Sequence, residues 1–394
     1  MKRITMKAIN KIISREEKFK ILFILGIIFL IVRICLLWIE SNDYKYCLLP
    51  WFEQLQLAGG LSGLKMNISN YNMPYMTLMA LMTYIPVSPL LQIKLLSILF
   101  DYGTAILGYK MITEITTSNK STKGVCTYIL LLCAPTVVLN SAAWGQCDSI
   151  YTFFVISAIY FLIKKRFHAA FILLGCAFSF KLQFMFIVPL FGIYALCKRP
   201  ILLLYFLYIP LTNFLLCLPS ILAGVSPLYT YETYFGQMEF WHLACNVANL
   251  STLLPDLEVL SFYLQLLTVL LFCILLFAML LKRKVWQGFH ENEITLTLAL
   301  ISVFICYYFL PCMHDRYFYI ADVLSIIWWM TYGTRKTLYI PLIINAVSLA
   351  TYIEALAQFV WLLPLQILSV ALFIGLIILL KHLYKLMNLQ YENK

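Results

Sequence analysis

At the centre of the chain stands a polar, turn-like stretch, Ala143-Trp144-Gly145-Gln146-Cys147-Asp148-Ser149. It separates two hydrophobic runs that are each long enough to span a bilayer. An aspartate at the mouth of two membrane helices is costly unless it is solvated, paired or bound to a cation. We therefore expect the other polar clusters of the chain to converge on the same side of the membrane as Asp148.

The composition indicates a polytopic all-α membrane protein. Of 394 residues, 62% are hydrophobic and only 12% are charged, which excludes an ordinary soluble protein. Apolar runs recur along the whole chain, so residues 1–394 are predicted to form a single transmembrane domain in the lipid bilayer. The net charge of +11 lies in short basic clusters between these runs. It indicates orientation in the membrane and no nucleic-acid partner.

The basic clusters predict the topology. A basic N-terminus over residues 1–20 is expected in the cytoplasm, and a tail over 382–394 likewise. Placing every basic cluster inside gives about twelve spans with both termini cytoplasmic, as expected for a multi-pass protein of the plasma membrane. The expected spans are 21–39, 94–113, 125–142, 148–163, 167–180, 183–197, 201–223, 258–281, 294–311, 317–333, 338–353 and 360–381.

The stretch 40–93 is expected to be a long first outer loop. Its apolar part, 74–86, is short and ends at a Pro-Val-Ser-Pro sequence. A span there would place every later basic cluster outside the cell. We therefore expect interfacial or re-entrant helices in this loop.

With this topology the unusual polar residues all fall on the outer face. The expected clusters are Ser41-Asn42-Asp43-Tyr44, Trp144-Gly145-Gln146-Cys147-Asp148, Lys181 with Gln183, the loop 224–257 with Trp241 and His242, and His314-Asp315-Arg316-Tyr317. The inner loops hold little except lysine and arginine. The asymmetry predicts that the functional site lies outside.

Each cluster also has a structural interpretation. Asp43 is typical of a solvated helix end, Asp148 of an N-cap for the following helix, and Asp315 of a partner for Arg316. Asp101 and Asp322, about two turns inside apolar runs, are expected to pair with buried cations. Lys181 lies between two apolar half-spans, and we favour a functional role because an intramembrane lysine normally requires a partner.

The residue types suit transfer to a hydroxyl with an anionic leaving group. A carboxylate can deprotonate an acceptor hydroxyl, and lysine and arginine can bind a departing phosphate. Aspartates together with histidine could hold a divalent cation, Mg²⁺ or Mn²⁺, although no spacing here is diagnostic of a metal site. Trp51, Trp144 and Trp241 are consistent with sugar stacking and equally with an interfacial aromatic belt.

The sequence resembles the GT-C glycosyltransferases, in particular the bacterial integral-membrane branch related to the GPI mannosyltransferases. The similar segments follow the family order and cover residues 41 to 317. They are Ser41-Asn42-Asp43-Tyr44 with Pro50-Trp51, Asn140-Ser141-Ala142-Ala143-Trp144-Gly145-Gln146-Cys147-Asp148-Ser149, Phe180-Lys181-Leu182-Gln183 and Met313-His314-Asp315-Arg316-Tyr317.

The resemblance implies a GT-C-like fold and inverting transfer of a sugar, mannose or another hexose, from a polyprenyl-phosphate donor. The acceptor would be a cell-surface glycan or a lipid-linked saccharide. Asp43 would be the catalytic base. The other roles are an acceptor or cation site for Asp148, His314, Gln146 and Trp144, donor-phosphate binding for Lys181 and Arg316, and support by Gln183, Asp315 and Tyr317.

Two other functions remain open at this stage. A flippase or transporter of lipid-linked saccharides would place polar residues through the membrane midplane, in two related halves. No inverted repeat is visible in the sequence. A glycan polymerase, for which donor and acceptor are both lipid-linked, would have the same sequence pattern as a single-sugar transferase.

Overall fold

The computed structural model describes residues 15–116, 119–284, 288, 290–357 and 364–388. The α-helices are α1 Arg15–Ile34, α2 Leu49–Leu57, α3 Met73–Met82, α4 Pro89–Ile115, α5 Lys120–Cys133, α6 Pro135–Val138, α7 Asp148–Ile163, α8 Phe167–Phe180, α9 Val188–Lys198, α10 Tyr208–Leu222, α11 Tyr229–Gln237, α12 Glu258–Leu281, α13 Glu291–Phe309, α14 Tyr319–Tyr332, α15 Tyr339–Ala357 and α16 Leu365–Asn388.

Shorter elements connect these helices. Single π-helical turns span Tyr44–Leu48 and Leu139–Trp144. The 3₁₀ segments are Gly60–Met66, Leu182–Ile187, Pro200–Leu207, Leu250–Leu253, Asp315–Phe318 and Arg335–Thr337. Two parallel two-residue strands, β1 Ala244–Cys245 and β2 Met313–His314, pair with each other.

The described residues contain fewer candidate spans than the expected twelve. Six helical segments are long and apolar enough to cross a membrane, and a seventh is possible if one bent pair forms a single span. The six are Pro89–Ile115, Pro200–Leu222, Glu258–Leu281, Glu291–Phe309, Arg335–Ala357 and Leu365–Asn388, and the bent pair is Lys120–Cys133 with Pro135–Trp144. The chain is therefore a plausible multi-pass membrane protein, and the prediction of about twelve spans is wrong.

Length and charge explain the difference. At about 1.5 Å per residue, α7 with its 16 residues extends only ~24 Å, short of a ~30 Å hydrocarbon core. Helices α8 and α14 have 14 residues each and fall shorter still. Helix α1, which overlaps the expected first span 21–39, carries charged residues near both its ends, including Arg33. Several of the apolar runs expected to be spans are therefore shorter than the bilayer core, which makes the expected number of spans too large.

Three parts of the predicted topology lie wholly or partly outside the described residues. Residues 1–14, 358–363 and 389–394 lie outside the described residues, so most of the basic N-terminus, the start of the last expected span and the end of the expected tail are among them. The last helix continues to Asn388, which makes the first part of the expected tail helical. The stretch 40–93 does contain short helices, α2 and α3, before the long helix α4 begins.

The core of the molecule lies around α7, α13 and α14. The apolar window of α13 is 83% buried, whereas those of Pro200–Leu222 and α12 are only 22% buried. Apolar side chains on all faces of a helix suit either the protein core or lipid contact. The exposed apolar faces of α10 and α12 therefore mark the periphery, as expected for helices that border a membrane.

Two breaks in the helices bring polar backbone into the bundle. The first lies between α5 and α7, where Pro135 follows α5 and the chain bends by 52°. The second lies at Lys181, which is extended (φ −155°, ψ 140°) between α8 and the 3₁₀ turn Leu182–Ile187. A break at Lys181 was expected from the sequence. Both breaks leave polar side chains at the same end of α7 and α8.

The two ends of the bundle differ in charge. At one end, lysines at the C-terminal ends of α7 and α9 pair with carboxylates: Lys164 with Glu114 at 2.8 Å and Lys198 with Glu291 at 2.8 Å. Glu291 begins α13 and also accepts from Lys165 at 3.2 Å. The beginning of α7, the end of α8 and the residues after α13 lie at the opposite end. That opposite end carries Asp148, Lys181 and Arg316.

Candidate functional site

The central polar stretch is anchored by backbone geometry and two serines. Gly145 adopts a left-handed conformation (φ 76°), which closes the π-helical turn and which glycine adopts at little cost. Ser97 on α4 donates to the Gln146 carbonyl oxygen at 2.6 Å, and Ser41 donates to the Trp144 carbonyl oxygen at 2.8 Å. These bonds fix the side chains of Trp144 and Gln146 relative to the segment that carries Asp43.

A buried lysine holds the chain that leads from α1 to Asp43. Lys94 on α4 is fully buried, and its ammonium donates to the carbonyl oxygens of Leu36, Leu37 and Ile39 at 3.2, 3.0 and 2.5 Å. A cation near the C-terminus of a helix satisfies carbonyl groups that the helix leaves unpaired. Lys94 thereby fixes the turn that follows α1, and the last of these carbonyls, that of Ile39, lies four residues before Asp43.

The Asp43 carboxylate is oriented by three donors and stays partly open. Its Oδ2 accepts from Gln146 Nε2 at 2.5 Å and from Trp144 Nε1 at 3.0 Å. Arg316 Nη1 lies 3.3 Å from the same oxygen, and the Asp43 side chain is 35% exposed. A carboxylate with fixed orientation and solvent access has what a general base requires.

Asp148 forms a buried ion pair with Lys181. Asp148 is fully buried, and its Oδ1 accepts from Lys181 Nζ. Its Oδ2 accepts from Asn140 Nδ2 at 3.0 Å. The Lys181 ammonium also lies over the ring of Tyr317, 5.6 Å from the centroid. Both charges are thus compensated, as buried charges must be.

Arg316 connects the two carboxylate groups. Besides its contact with Asp43, its Nε lies 4.0 Å from Asp148 Oδ2 and its Nη1 lies 4.0 Å from Asp315 Oδ1. Its guanidinium carbon lies 5.6 Å from the centre of the Trp144 ring. The Nε atom is buried without a hydrogen-bond partner. Arg316 therefore retains donor capacity that its carboxylate contacts do not use.

Asp315 lies behind Arg316. Its Oδ1 accepts from the Arg316 backbone N–H at 2.8 Å, and Asn246 Nδ2 donates to its Oδ2 at 3.5 Å. Burial raises the pKa of this carboxyl from 3.8 to about 6, against the opposing charge of Arg316. The expected pairing of Asp315 with Arg316 is present as the 4.0 Å contact between Arg316 Nη1 and Asp315 Oδ1, together with this backbone hydrogen bond.

His314 lines the site as a neutral ring. Its ring centre lies 5.1 Å from that of Tyr317 and 6.4 Å from that of Trp241. Burial, together with the positive charges of Arg316 and Lys181, lowers the pKa of His314 to about 4. The exposed indole of Trp241 extends this aromatic edge towards solvent.

The acidic residues do not fit a divalent cation. Within the described ranges, no three His, Cys, Asp or Glu side chains converge in an arrangement that could hold a metal ion. Asp148, the carboxylate expected at the acceptor or cation site, contacts the guanidinium of Arg316, as does the expected base Asp43. A positive side chain between two carboxylates neutralises their negative charge and repels a metal cation.

Most of the residues singled out in the sequence meet in this cluster, with some corrections. Gln183 is buried with its Oε1 unpartnered and forms no contact with Asp43 or Asp148 in the described structure. Asp148 is not the N-cap of α7: Cys147 holds that position, and the carboxylate points to Lys181 and Asn140. Tyr317 contributes its ring face to Lys181 and its ring edge to His314.

The two intramembrane aspartates differ from each other. Asp101 pairs with Arg33 at 3.3 Å in a fully buried contact, so this expectation is confirmed. Asp322 forms no ion pair with any described residue, and its Oδ1 has no hydrogen-bond partner. The expectation of a buried cation beside Asp322 is therefore wrong for the side chains of the described residues.

Two residues of the site were missed in the sequence. The Tyr71 hydroxyl donates to Gln146 Oε1 at 2.8 Å, which turns the amide nitrogen of Gln146 towards Asp43. Asn140 donates to Asp148 and to the Tyr352 hydroxyl at 2.9 Å. Asn140 stands in the segment that carries the resemblance, which was a usable signal. Tyr71 is one of 26 tyrosines and nothing in its surroundings distinguishes it.

Two comparisons with known proteins found no relative of this chain. No protein-family model matches the chain, and no curated protein sequence shows significant similarity to it.

Proposed function

We propose that this chain is a membrane glycosyltransferase of the GT-C type. It transfers a hexose, mannose or another, from polyprenyl phosphate to a hydroxyl of a surface glycan or lipid-linked acceptor. The observation that carries the proposal is the Asp43 carboxylate, one third exposed and oriented by Trp144, Gln146 and Arg316. The sequence resemblance assigns the catalytic role to the same residue.

The reaction needs a base on the acceptor side. Asp43 accepts the proton of the acceptor hydroxyl, and the hydroxyl oxygen forms a bond to the anomeric carbon of the sugar. The bond from that carbon to the donor phosphate breaks on the opposite face, and the phosphate leaves with the electron pair. Configuration at the anomeric carbon is inverted. Gln146 and Trp144 hold the base in position through this step.

The leaving phosphate needs positive charge. Arg316 has unused donors, and Lys181 lies on the far side of Asp148 from Arg316. Charge-assisted hydrogen bonds from a preorganised arginine and lysine stabilise an oxyanion more than water does. A phosphate bound between the two cations competes with Asp43 and Asp148 for them. Asp43 is thereby released to act as the base when the donor binds.

The orientation follows from the two charged ends of the bundle. The end with Lys164, Lys165 and Lys198 is cytoplasmic by the positive-inside rule. The Asp43 cluster then faces outward at the plasma membrane, where a lipid-linked donor is accessible. The short helices α2 and α3 between Asp43 and α4 support this proposal, because the resemblance implies juxtamembrane helices in the first outer loop.

The test is the mass of surface glycans in a strain that lacks this protein. We expect wild type to restore one sugar increment and Asp43→Asn to restore none, at equal expression. Glu40→Gln is the matched control, because Glu40 lies three residues away in an exposed pair with Lys45 at 3.6 Å. It should restore the increment. Full restoration by Asp43→Asn would reject the site, and a glycan that never depends on the protein would favour a carrier of lipid-linked saccharide.

A further inference from the structure

Helices α6, α14 and α15 meet around the carboxylate of Asp322. This side chain is fully buried, and Ser348 Oγ donates to its Oδ2 at 2.7 Å. Its Oδ1 is buried without a partner, and no ion pair within the described residues includes it. An ionised carboxylate in such surroundings is very costly. Something other than a side chain of the described residues must therefore neutralise it.

Two more buried oxygens around Asp322 lack partners. Thr136 Oγ1, on α6, faces the Asp322 carboxyl without a well-aligned hydrogen bond. Asn345 on α15 uses its amide nitrogen on the Pro341 and Asp322 carbonyl oxygens, at 2.9 and 3.4 Å, and its Oδ1 is unpartnered. Ser348 follows Asn345 by three residues and so lies on the same face of α15.

We propose that these residues form a site for a small monovalent cation, with Na⁺ as the ion to test. The ligands are Asp322 Oδ1, Thr136 Oγ1 and Asn345 Oδ1, with Ser348 holding the other carboxylate oxygen. Oxygen-only ligands suit a hard cation. A single carboxylate balances a single charge, whereas a divalent ion would leave an uncompensated charge in an apolar core.

A proton alone would satisfy fewer of these groups. Protonated at Oδ1, Asp322 would donate to Thr136, but the Asn345 carbonyl oxygen would still have no partner. In the proposed site, the cation takes all three oxygens as ligands. Thr136 also lies beside Pro135, at the break between α5 and α6, where proline supplies no backbone N–H. Ion sites within membrane proteins recur at such helix breaks.

The cation site lies one helical turn from Asn140 and Tyr352, the residues that support Asp148. Thr136 precedes Asn140 by four residues, and Ser348 precedes Tyr352 by four. Asn140 donates to Tyr352 and to Asp148, so the same two segments that hold the cation also hold Asp148. A bound cation thus fixes the spacing between α6 and α15. The proposal does not depend on the transfer reaction.

The experiment measures binding of radioactive ²²Na⁺ to the purified full-length protein in detergent, beside its thermal midpoint. We expect saturable binding of one ion per chain and a midpoint that rises when NaCl replaces choline chloride at constant ionic strength. Asp322→Asn should abolish saturable binding. Thr136→Val and Ser348→Ala should raise the half-saturating Na⁺ concentration about three- to tenfold, because each removes one polar contact.

The control is Ser302→Ala, which removes another buried hydroxyl, bonded to the Phe186 carbonyl oxygen at 2.7 Å. It should bind ²²Na⁺ as wild type does. Absence of saturable binding by wild type, with equal midpoints in Na⁺ and choline, overturns the proposal and leaves a protonated Asp322. If Asp322→Asn does not fold, Thr136→Val and Ser348→Ala decide, and unchanged binding by both overturns the location.

Discussion

Two arginine–aspartate pairs in this molecule have the same length and opposite surroundings. Arg33 with Asp101 and Arg316 with Asp43 are each joined by a nitrogen–oxygen distance of 3.3 Å. The first pair is fully buried, whereas Asp43 is 35% exposed and Arg316 18%. Only the second is open to a ligand. Access to solvent, rather than the pairing itself, separates a structural pair from a candidate catalytic one.

The other hydrogen-bond partners of the two pairs also differ: those of the first pair are buried, and those of the second surround an exposed oxygen. Asp101 also accepts from Ser141 and Tyr319, at 2.5 and 3.1 Å, and Arg33 donates to the Leu132 carbonyl oxygen at 3.1 Å. That carbonyl lies beside the helix break at Pro135, so the sealed pair supports the backbone there. The open pair instead gathers side chains around one exposed oxygen. Substitutions in the two pairs should therefore affect different measurements.

The largest expected effect is on the transfer rate of Asp43→Asn. Loss of a general base lowers a rate by about 100- to 10,000-fold. The thermal midpoint should stay close to that of wild type, because asparagine retains an acceptor oxygen for Trp144 and Gln146. Initial rates and thermal midpoints of the purified variant test both points. A variant with more than about a tenth of the wild-type rate would exclude Asp43 as the base.

In the sealed pair, Asp101→Leu should affect folding. It leaves Arg33 buried without a counter-charge, which typically costs about 3–5 kcal/mol. The double variant Arg33→Met with Asp101→Leu should recover much of that loss, since two apolar side chains often replace a buried pair well. The folded fraction after heating, followed by size-exclusion chromatography, reports the difference. Equal losses in the single and double variants would contradict this account of the pair.

Arginine geometry should matter for ligand binding only in the open pair. Arg316→Lys removes the planar set of donors and should weaken binding of undecaprenyl phosphate about tenfold. Arg33→Lys should leave that affinity unchanged in whatever fraction of the protein folds. Titration by native mass spectrometry measures both variants. An equal affinity for Arg316→Lys and wild type would remove Arg316 from the phosphate site.

A smaller effect is expected for Tyr71→Phe. The variant loses one hydrogen bond, worth about 1 kcal/mol, so the rate should fall about fivefold. The Gln146 amide then loses the contact that orients it towards Asp43. Tyr102→Phe is the matched control, because the Tyr102 hydroxyl donates to the Gly26 carbonyl oxygen at 2.7 Å, near the sealed pair. Its rate should equal that of wild type, and a rate loss shared by both variants would indicate a general packing effect.

The smallest expected effect is on the pH dependence of folding stability, where two contributions of opposite sign nearly cancel. The raised pKa of Asp315, about 6, makes the folded state bind more protons than the unfolded state, so stability falls as pH rises from about 4 to about 6. The lowered pKa of His314, about 4 against 6.5, has the opposite sign over a similar range. The thermal midpoint of wild type should therefore change little between these pH values.

Single substitutions separate the two contributions. In Asp315→Asn the midpoint should rise between pH 4 and 6.5, the interval over which His314 has lost its proton in the folded state and still holds it in the unfolded state. In His314→Gln it should fall from pH 3.8 to about 6. Midpoints measured in buffers of equal ionic strength test both slopes. Parallel pH profiles for the two variants would show that other groups control this range.

Local chemistry made part of the molecule predictable. The cost of an intramembrane charge identified Asp148, Lys181 and Asp101 as residues with partners, and each has one. The break at Lys181 followed from a charge between two short apolar runs. Because helices are continuous between such breaks, the polar clusters of distant segments could be expected at one end of the bundle.

The same reasoning could not predict the number of spans or the identity of the side chains' partners. Apolar composition is shared by exposed helices such as α12 and by buried ones such as α7, so a hydrophobic run does not reveal which it is. Partners such as Tyr71 for Gln146 are 75 residues apart and depend on packing. Asp322 was expected to resemble Asp101 because the two have similar apolar surroundings in sequence. Their different partners appear only in three dimensions.

The order in which the site residues are synthesised has a consequence for biogenesis. Asp43 leaves the ribosome first, Asp148 and Lys181 follow, and Arg316 comes last of the four. Until Arg316 arrives, Asp148 can already pair with Lys181, but Asp43 has no arginine beside it. A nascent chain that ends before residue 316 therefore leaves the Asp43 carboxylate with the neutral donors Trp144 and Gln146 and without the opposite charge of Arg316.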